Sequence, residues 1–293
     1  MTKYHLTGKE DLDLIKYAES RYINNCSFLK KYNENKYKLV TVKNSIKVAG
    51  YEEEKSTLYE VEDVENKNNL GRNVNDEKLE NNIIRAKSKI YEYAICNDFE
   101  YFVTLTLDSK KMDRSNINEY IKKLGQYIRD IRKFTGQKIQ YVLIPEKHSD
   151  GVNWHMHGLM KGIKDLRKYD LRENIPKRMK DKIIKYREEN LNLYEWVGYS
   201  QRFGFNCIEP IRDKDACSRY ITKYISKNLE NDKGITEKNK KKYYASRGLK
   251  TAKNIKKGVI PTQNIDYDFE NEYCKIKWLD YNQAKEVEKL FII

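Results

Sequence analysis

Gln140-Tyr141-Val142-Leu143-Ile144-Pro145-Glu146-Lys147-His148-Ser149-Asp150-Gly151-Val152-Asn153-Trp154-His155-Met156-His157-Gly158-Leu159-Met160 decides how this chain reads. Residues 140–145 read as a strand, Asp150-Gly151 is a strong turn signal, and residues 154–160 read as the returning strand. Side chains alternate across a strand, so His155 and His157 share one face while Met156 points into the core. The partner strand carries Glu146 and His148 at the same spacing, and hairpin pairing can bring Glu146 beside the two imidazoles. Two histidines and one carboxylate, with positions left open for a phosphate oxygen, suit Mg²⁺ or Mn²⁺. The plainer reading is of hydrogen-bonding surface histidines. It is weakened by rarity, because the chain has only 4 His and three of them fall in this hairpin. His148 stays open between a fourth ligand, a DNA contact and a solvated turn residue.

Upstream of the hairpin, Tyr101 to Leu107 is β-branched and aromatic enough for a buried strand ended by Asp108-Ser109. Ser115 is placed to cap a helix with apolar positions Ile117, Ile121, Leu124, Ile128 and Ile131, stopped at Thr135-Gly136. Leu79, Ile83, Ala86, Ile90 and Ala94 recur at steps of three and four, which predicts a helix over 77–96. Residues 9–32 read as a helix, 36–62 as short strands, and 63–82 as a polar linker. Downstream, residues 161–198 read as mostly helical, 203–211 as a strand and 213–229 as a helix. Residues 230–242 form a charged linker. A hairpin from 265–269 and 273–278, then a short helix, closes the chain. Strands and helices in this order suggest α+β with a mainly antiparallel sheet.

The helix over 213–229 contains Tyr220-Ile221-Thr222-Lys223-Tyr224-Ile225-Ser226-Lys227, a tandem YxxK. At ~100° per residue, Tyr220, Lys223, Tyr224 and Lys227 lie within about one 100° sector, and Ile221, Ile225 and Leu229 form a separate stripe. The helix can pack through its isoleucines and present two phenols and two ammoniums together. A phenol is a poor nucleophile near neutrality unless its developing charge is stabilised. Nearby lysines and a polarised phosphate supply that. The alternative is an amphipathic helix with packing tyrosines, which a chain with 24 Tyr makes a real competitor.

Composition narrows the function classes. The 293 residues carry 58 Lys+Arg against 44 Asp+Glu, a net charge of +14, which points to a polyanionic partner. No apolar run approaches the ~20 residues of a membrane span, and a polar Met1–Asp11 predicts no signal peptide. The five Cys are scattered without CxxC, so a disulfide scaffold or a four-cysteine zinc module is not expected, and a cytoplasmic setting is. No GxxxxGK[ST] occurs, so no ATPase activity is expected.

These pieces, in this order, resemble the HUH endonucleases that initiate rolling-circle replication. The strand motif FxTLT corresponds to Phe102-Val103-Thr104-Leu105-Thr106-Leu107-Asp108, the His-hydrophobic-His motif to His155-Met156-His157, and the tyrosine helix to residues 220–227. The doubled YxxK is similar to the gene A initiators of microvirus phages. The Glu146-to-His155 spacing is similar to replication proteins related to the filamentous-phage gene II endonuclease. The resemblance covers residues ~80–250. It implies a central five-stranded antiparallel sheet flanked by helices over 77–250. Residues 1–76 (a helix and short strands) and 251–293 (a small hairpin and a helix) would then be extensions of unassigned purpose.

The resemblance further implies a mechanism. Glu146, His155 and His157 hold Mg²⁺ or Mn²⁺, and Tyr220 or Tyr224 attacks the scissile phosphorus. The product is a 5′-phosphotyrosyl adduct and a 3′-OH primer, with Lys223 and Lys227 assisting. Thr104, Thr106 and Asp108 read as supports of the sheet. The implied partners are single-stranded origin DNA and a host helicase and polymerase, in the cytoplasm of a bacterial host. Candidate DNA contacts are Lys110, Lys111, Arg114, Lys147, Lys227, Tyr243, Tyr244 and Arg247, and Trp154 is split between core packing and base stacking. Two other functions compete: a two-tyrosine transposase, disfavoured by the missing Cys-rich module, and a non-catalytic basic DNA-binding regulator, which has no need for the Glu-His-His set.

Overall fold

The computed structural model describes residues 21–23, 25–43, 46–48, 76–173, 175, 177–225, 241–261 and 265–292. Antiparallel pairing joins every strand to its neighbour, and helices cover the sheets, so the class is α+β as the sequence implies. The chain divides into two units: Met1–Arg72 with Ala252–Ile293, and Asn73–Thr251.

The first unit draws on both ends of the chain. With elements numbered along the chain, β1 (Arg21–Ile23) pairs β4 (Ile46–Val48). β2 (Cys26–Lys31) and β3 (Tyr37–Val42) join β12 (Lys253–Val259), β13 (Phe269–Glu270) and β14 (Cys274–Leu279) in a sheet of order β12-β2-β3-β14-β13. The helix α6 (Tyr281–Lys289) starts at a reciprocal cap between Asp280 and Gln283. It buries Ala284 and Val287 against Leu29, Tyr37, Leu39 and Leu279. The helix expected over 9–32 is corrected here: residues 9–20 lie outside the described residues, while Arg21–Ile23 and Cys26–Lys31 are strands. Asn25 at φ 54 is left-handed, which no helix continues through. The ladder then places Ser27 opposite Thr41 and Leu29 opposite Leu39, a long-range pairing that overrides local spacing. Residues 49–62 and 63–75, read as strands and linker, also lie outside the described residues.

The second unit contains α1 (Asp76–Cys96), β5 (Tyr101–Thr106), α2 (Ile117–Thr135), β6 (Gln140–Lys147) and β7 (Trp154–Lys161). After these come β8 (Leu166–Lys168), α3 (Lys177–Glu188), β9 (Tyr194–Trp196) and α4 (Val197–Arg202). β10 (Asn206–Pro210), α5 (Lys214–Ile221) and β11 (Tyr244–Ala245) complete it. The sheet order is β11-β6-β7-β5-β10-β9-β8, so the sheet has seven strands where five were expected.

Alternation sends neighbouring residues into two different cores. Val103, Leu105, Leu143, Met156 and Met160 meet α2 through Ile117, Tyr120 and Leu124. Val142, Ile144 and Leu159 meet α1, the end of α5 and the turn after it through Ile90, Ala94, Ile221 and Ile225. β6 and β7 are therefore buried on both faces, which fixes their register. Truncating Ile144 to Ala there costs about 2–5 kcal/mol.

Three local readings are refined. Asn116, not Ser115, caps α2, accepting from Glu119 N at 3.0 Å. The segment 161–198 is not mostly helical. It includes β8 and β9, and the fully buried Asn206 clips Trp196, accepting from its N–H at 2.7 Å and donating to its carbonyl at 3.1 Å. The tyrosine helix is interrupted at Thr222: α5 ends at Ile221, and residues 223–225 are helical again. Residues 226–240, including Lys227 and Leu229, lie outside the described residues.

Candidate active site

The hairpin builds the site through its register. Glu146 pairs His155 and Ile144 pairs His157, which sets Glu146 and both imidazoles on the face shared with α1 and α5. Met156 points the other way and is fully buried. The turn is held by Asp150, whose carboxylate accepts from Val152 N, Asn153 N and Asn153 Nδ2. Those bonds hold the Asp150 carboxyl at about 2, below its ordinary range. Gly158 follows the second histidine where β6 comes closest: a Cβ there would fall against Val142 O and the Leu143 side chain.

His155 Nε2 and His157 Nε2 lie 2.9 and 2.8 Å from the same oxygen, Glu146 Oε2. Burial raises the Glu146 carboxyl pKa, but hydrogen bonds from His155 and His157 lower it further, to about 2. The carboxylate is therefore ionised at all working pH values. On the neighbouring strand, β5 pairs Thr104 with His157, and Thr104 Oγ1 lies 3.2 Å from His157 Nδ1. That contact orients the ring from behind, as the outer hydrogen-bond partners of metal-binding histidines do.

The donor chemistry fits a divalent cation. One atom from each of Glu146, His155 and His157 falls within 4.8 Å of the others, and among the described residues this is a group able to hold a metal. His148 does not join that set. Its ring packs edge-on against His155 at 4.3 Å, and burial together with the His155 and Arg114 charges lowers its pKa.

The two tyrosines have different surroundings. The Tyr224 ring stacks on His157 at 4.0 Å and 19°. It is 6% exposed, whereas Tyr220 is 47% exposed. The Tyr224 hydroxyl donates to the Tyr220 hydroxyl at 2.9 Å. Burial first, then its contact with Tyr220, pushes the Tyr224 phenol well above its ordinary range. Phe102 from the FxTLT strand lies 5.6 Å from the Tyr220 ring and 6.0 Å from His157, between the helix and β7. Lys223 Nζ sits 6.0 Å from the Tyr220 ring centroid.

These groups line an open cleft of about 2190 Å³. Its floor crosses Glu146, His155, Thr104 and Thr106 to Phe205 and Glu209, and α3 and α5 form its walls. Of the candidate DNA contacts, Lys147 and His148 line it. Lys110, Lys111, Arg114, Trp154, Tyr243, Tyr244 and Arg247 lie outside its lining. Trp154 is buried with its indole N–H donating to Ser115 O, which leaves little of its ring for a base. Lys111 Nζ donates to Ser200 O at 2.7 Å. Tyr243 packs on Tyr93, and Tyr244 packs on the core beside β6.

The cations that do line the cleft are Lys182, Lys185, Arg212, Arg219 and Lys223 besides Lys147. The first four were not singled out from sequence, where they read as solvated charge on helices. Glu209 was missed too. It is buried on β10 beside Phe102, accepts from Tyr186 at 2.6 Å and pairs Lys182 at 2.5 Å. This network ties α3 to the sheet. All five cysteines are free, and burial pushes the thiols of the two that line the cleft up, Cys207 to about 12 and Cys217 to about 11.

Residues 100–229 match the family model of the replication-associated protein ORF2/gene II protein. The matched span runs from the start of the FxTLT strand through the tyrosine helix and supports a replication initiator. Neither the curated proteins nor the solved structures contain a match to the chain. Among the described residues no helix is long and apolar enough to cross a membrane.

Proposed function

We propose that this chain initiates rolling-circle replication by nicking single-stranded DNA at an origin through tyrosine transesterification, and later rejoins the strand. The observation that carries the reading is the convergence of a Glu-His-His donor set and two linked tyrosine hydroxyls in one cation-lined cleft.

Glu146, His155 and His157 would hold Mg²⁺ or Mn²⁺, which supplies charge to polarise the scissile phosphate. Tyr220, the exposed phenol, is the nucleophile. Its oxygen bonds to phosphorus as the P–O3′ bond breaks, the departing O3′ takes up a proton, and the phenolic proton leaves to solvent. Tyr224 donates to the Tyr220 oxygen and stabilises the charge developing there. Lys223 and the cleft arginines hold the strand by its phosphates. The phosphotyrosyl bond keeps the energy of the broken diester, so rejoining needs no ATP. Origin single-stranded DNA is the substrate, with a host helicase and polymerase acting after the nick.

A non-catalytic DNA-binding regulator would bind through the same cations but leave the strand intact. Overlapping single-stranded oligonucleotides tiling the replicon, incubated with Mn²⁺ and with EDTA, separate the two. A chelator-sensitive nick at one position supports the initiator, and binding without any nick supports the regulator.

A further inference from the structure

The register of the seven-stranded sheet lays out the cleft floor in rows. Glu146 pairs His155, His155 pairs Thr106, and the Thr106 N–H donates to Phe205 O at 2.8 Å. These four residues therefore run in one line across β6, β7, β5 and the residue just before β10. The line starts at the donor set and ends at a benzyl ring. Neighbouring strands lie ~4.8 Å apart, which puts Phe205 about 10 Å from His155 along the floor.

Phe205 lines the cleft and is 38% exposed. The backbone is arranged to put it there. Phe203, two positions earlier, is buried in the core against α2, and the chain turns between the two rings at Gly204, φ 145. A Cβ on Gly204 would strike the backbone from Thr106 to Asp108, so only glycine fits this turn. Tyr169, itself buried, packs on the Phe205 ring at 6.0 Å from within the fold. Cys207, next on the same face of β10, and Met179 of α3 continue an apolar floor, and Lys182 and Lys185 of α3 line the same cleft. Leaving a benzyl ring in water forgoes the gain of burying it, and a ligand with a flat apolar face restores that gain.

We propose that Phe205 is the stacking platform for a nucleobase of the bound strand, within about two nucleotides of the phosphate held at Glu146, His155 and His157. The inference rests on the reading of the cleft as a single-strand site and adds the residue that sets the strand's register over the donor set. An unpaired base is flat and apolar on its faces, so one face can cover the exposed part of the ring whatever the base. The α3 lysines are at hand for the phosphates that flank it. A strand pinned by one base cannot slide along the floor, which keeps one phosphate in place. A duplex hides its base faces and has nothing to offer the ring. Phe205 exchanges no proton and is a positioning residue.

The test uses the full chain in EDTA, so that no strand is cut, with two probes: a labelled oligothymidylate, and an abasic strand of the same length that keeps the phosphates and lacks the bases. Phe205→Leu retains an apolar side chain against Tyr169 and removes the flat face. It should weaken oligothymidylate binding by about tenfold, the loss of one stacked base, and leave abasic binding unchanged. The slope of log affinity against log salt should not move, because no phosphate contact is lost. Phe205→Trp should bind like the unaltered chain. Equal loss on both probes marks a merely structural role and overturns the inference, as does no loss on oligothymidylate. Iodouracil placed in the oligothymidylate should photo-crosslink to the peptide holding Phe205. Crosslinks confined to other peptides contradict the platform even if the leucine variant folds poorly. A chain that nicks with Mn²⁺ but shows neither signature keeps the nicking reaction and loses the platform, and a chain that shows both without nicking keeps the platform.

Discussion

The Tyr224 hydroxyl donates to the Tyr220 hydroxyl at 2.9 Å while the Tyr224 ring stacks on His157 at 4.0 Å. One side chain therefore touches both the nucleophile proposed above and a proposed metal ligand. The tandem motif invites a reading of two equivalent nucleophiles, but the buried phenol is held as a partner to the exposed one.

Tyr224→Phe should keep the ring on His157 and lose the hydrogen bond. The rate of strand cleavage is expected to fall by about tenfold, the scale of one hydrogen bond to a developing charge, with cleavage still present. Tyr220→Phe should remove it altogether. Single-turnover cleavage of the tiled oligonucleotides measures both. Equal loss in the two variants would contradict the division of roles.

Glu146→Gln or His157→Ala should abolish measurable Mn²⁺ binding by electron paramagnetic resonance or calorimetry. Thr104→Val, which takes away the oxygen behind His157 Nδ1, should weaken it by about 10–100-fold. Full affinity in His157→Ala would remove the metal assignment.

Metal affinity should fall as pH drops from about 8 to about 5, because protons compete for the imidazole nitrogens. The Glu146 carboxyl, held at about 2, stays ionised across that range and adds nothing to the loss. An affinity that stays constant over that range would contradict ligation through the imidazoles. Titrations at several pH values check this.

Lys182→Gln with Lys185→Gln should weaken cleft binding to single strands and flatten its salt dependence by about 1.4 in log-log slope. Lys182 also pairs Glu209, so Lys185→Gln alone is the cleaner control, with an expected change of about 0.7. Anisotropy at several salt concentrations measures both. No change in either variant would take α3 out of the DNA path.

Gly158→Ala should disturb the site more than its single added methyl suggests. The Cβ would push against the backbone at Val142 on β6, the strand that carries Glu146. A lower thermal midpoint together with weaker Mn²⁺ binding is expected, and an unperturbed chain would show that β6 yields without cost.

The hairpin that joins Glu146 to His155 and His157 was legible because everything that builds it is local. Alternation puts His155 and His157 on one face, Asp150-Gly151 closes the turn, and the register follows. The isoleucine stripe was legible for the same reason: Ile221 and Ile225 are buried where helical spacing puts them. The unequal burial of Tyr220 and Tyr224 was not, since it depends on how Phe102 and His157 meet the helix from distant strands. Lys182, Lys185 and Glu209 were hidden for a similar reason: their place in the cleft is a consequence of tertiary packing, and charge on a helix reads as solvated. The same limit explains residues 26–31. Their partners are Tyr37–Val42 nearby and Lys253–Val259 more than two hundred positions away, and only the nearer pairing leaves a trace in local pattern.

In the proposed reaction Tyr220 becomes covalently joined to a 5′ phosphate. Incubating the chain with the cleavable oligonucleotide and Mn²⁺, digesting it, and sequencing the nucleotide-bearing peptide by mass spectrometry tests this directly. The expected result is a peptide modified at Tyr220 that is absent with EDTA and absent in Tyr220→Phe. A cleaved strand with no nucleotide on any tyrosine would contradict it.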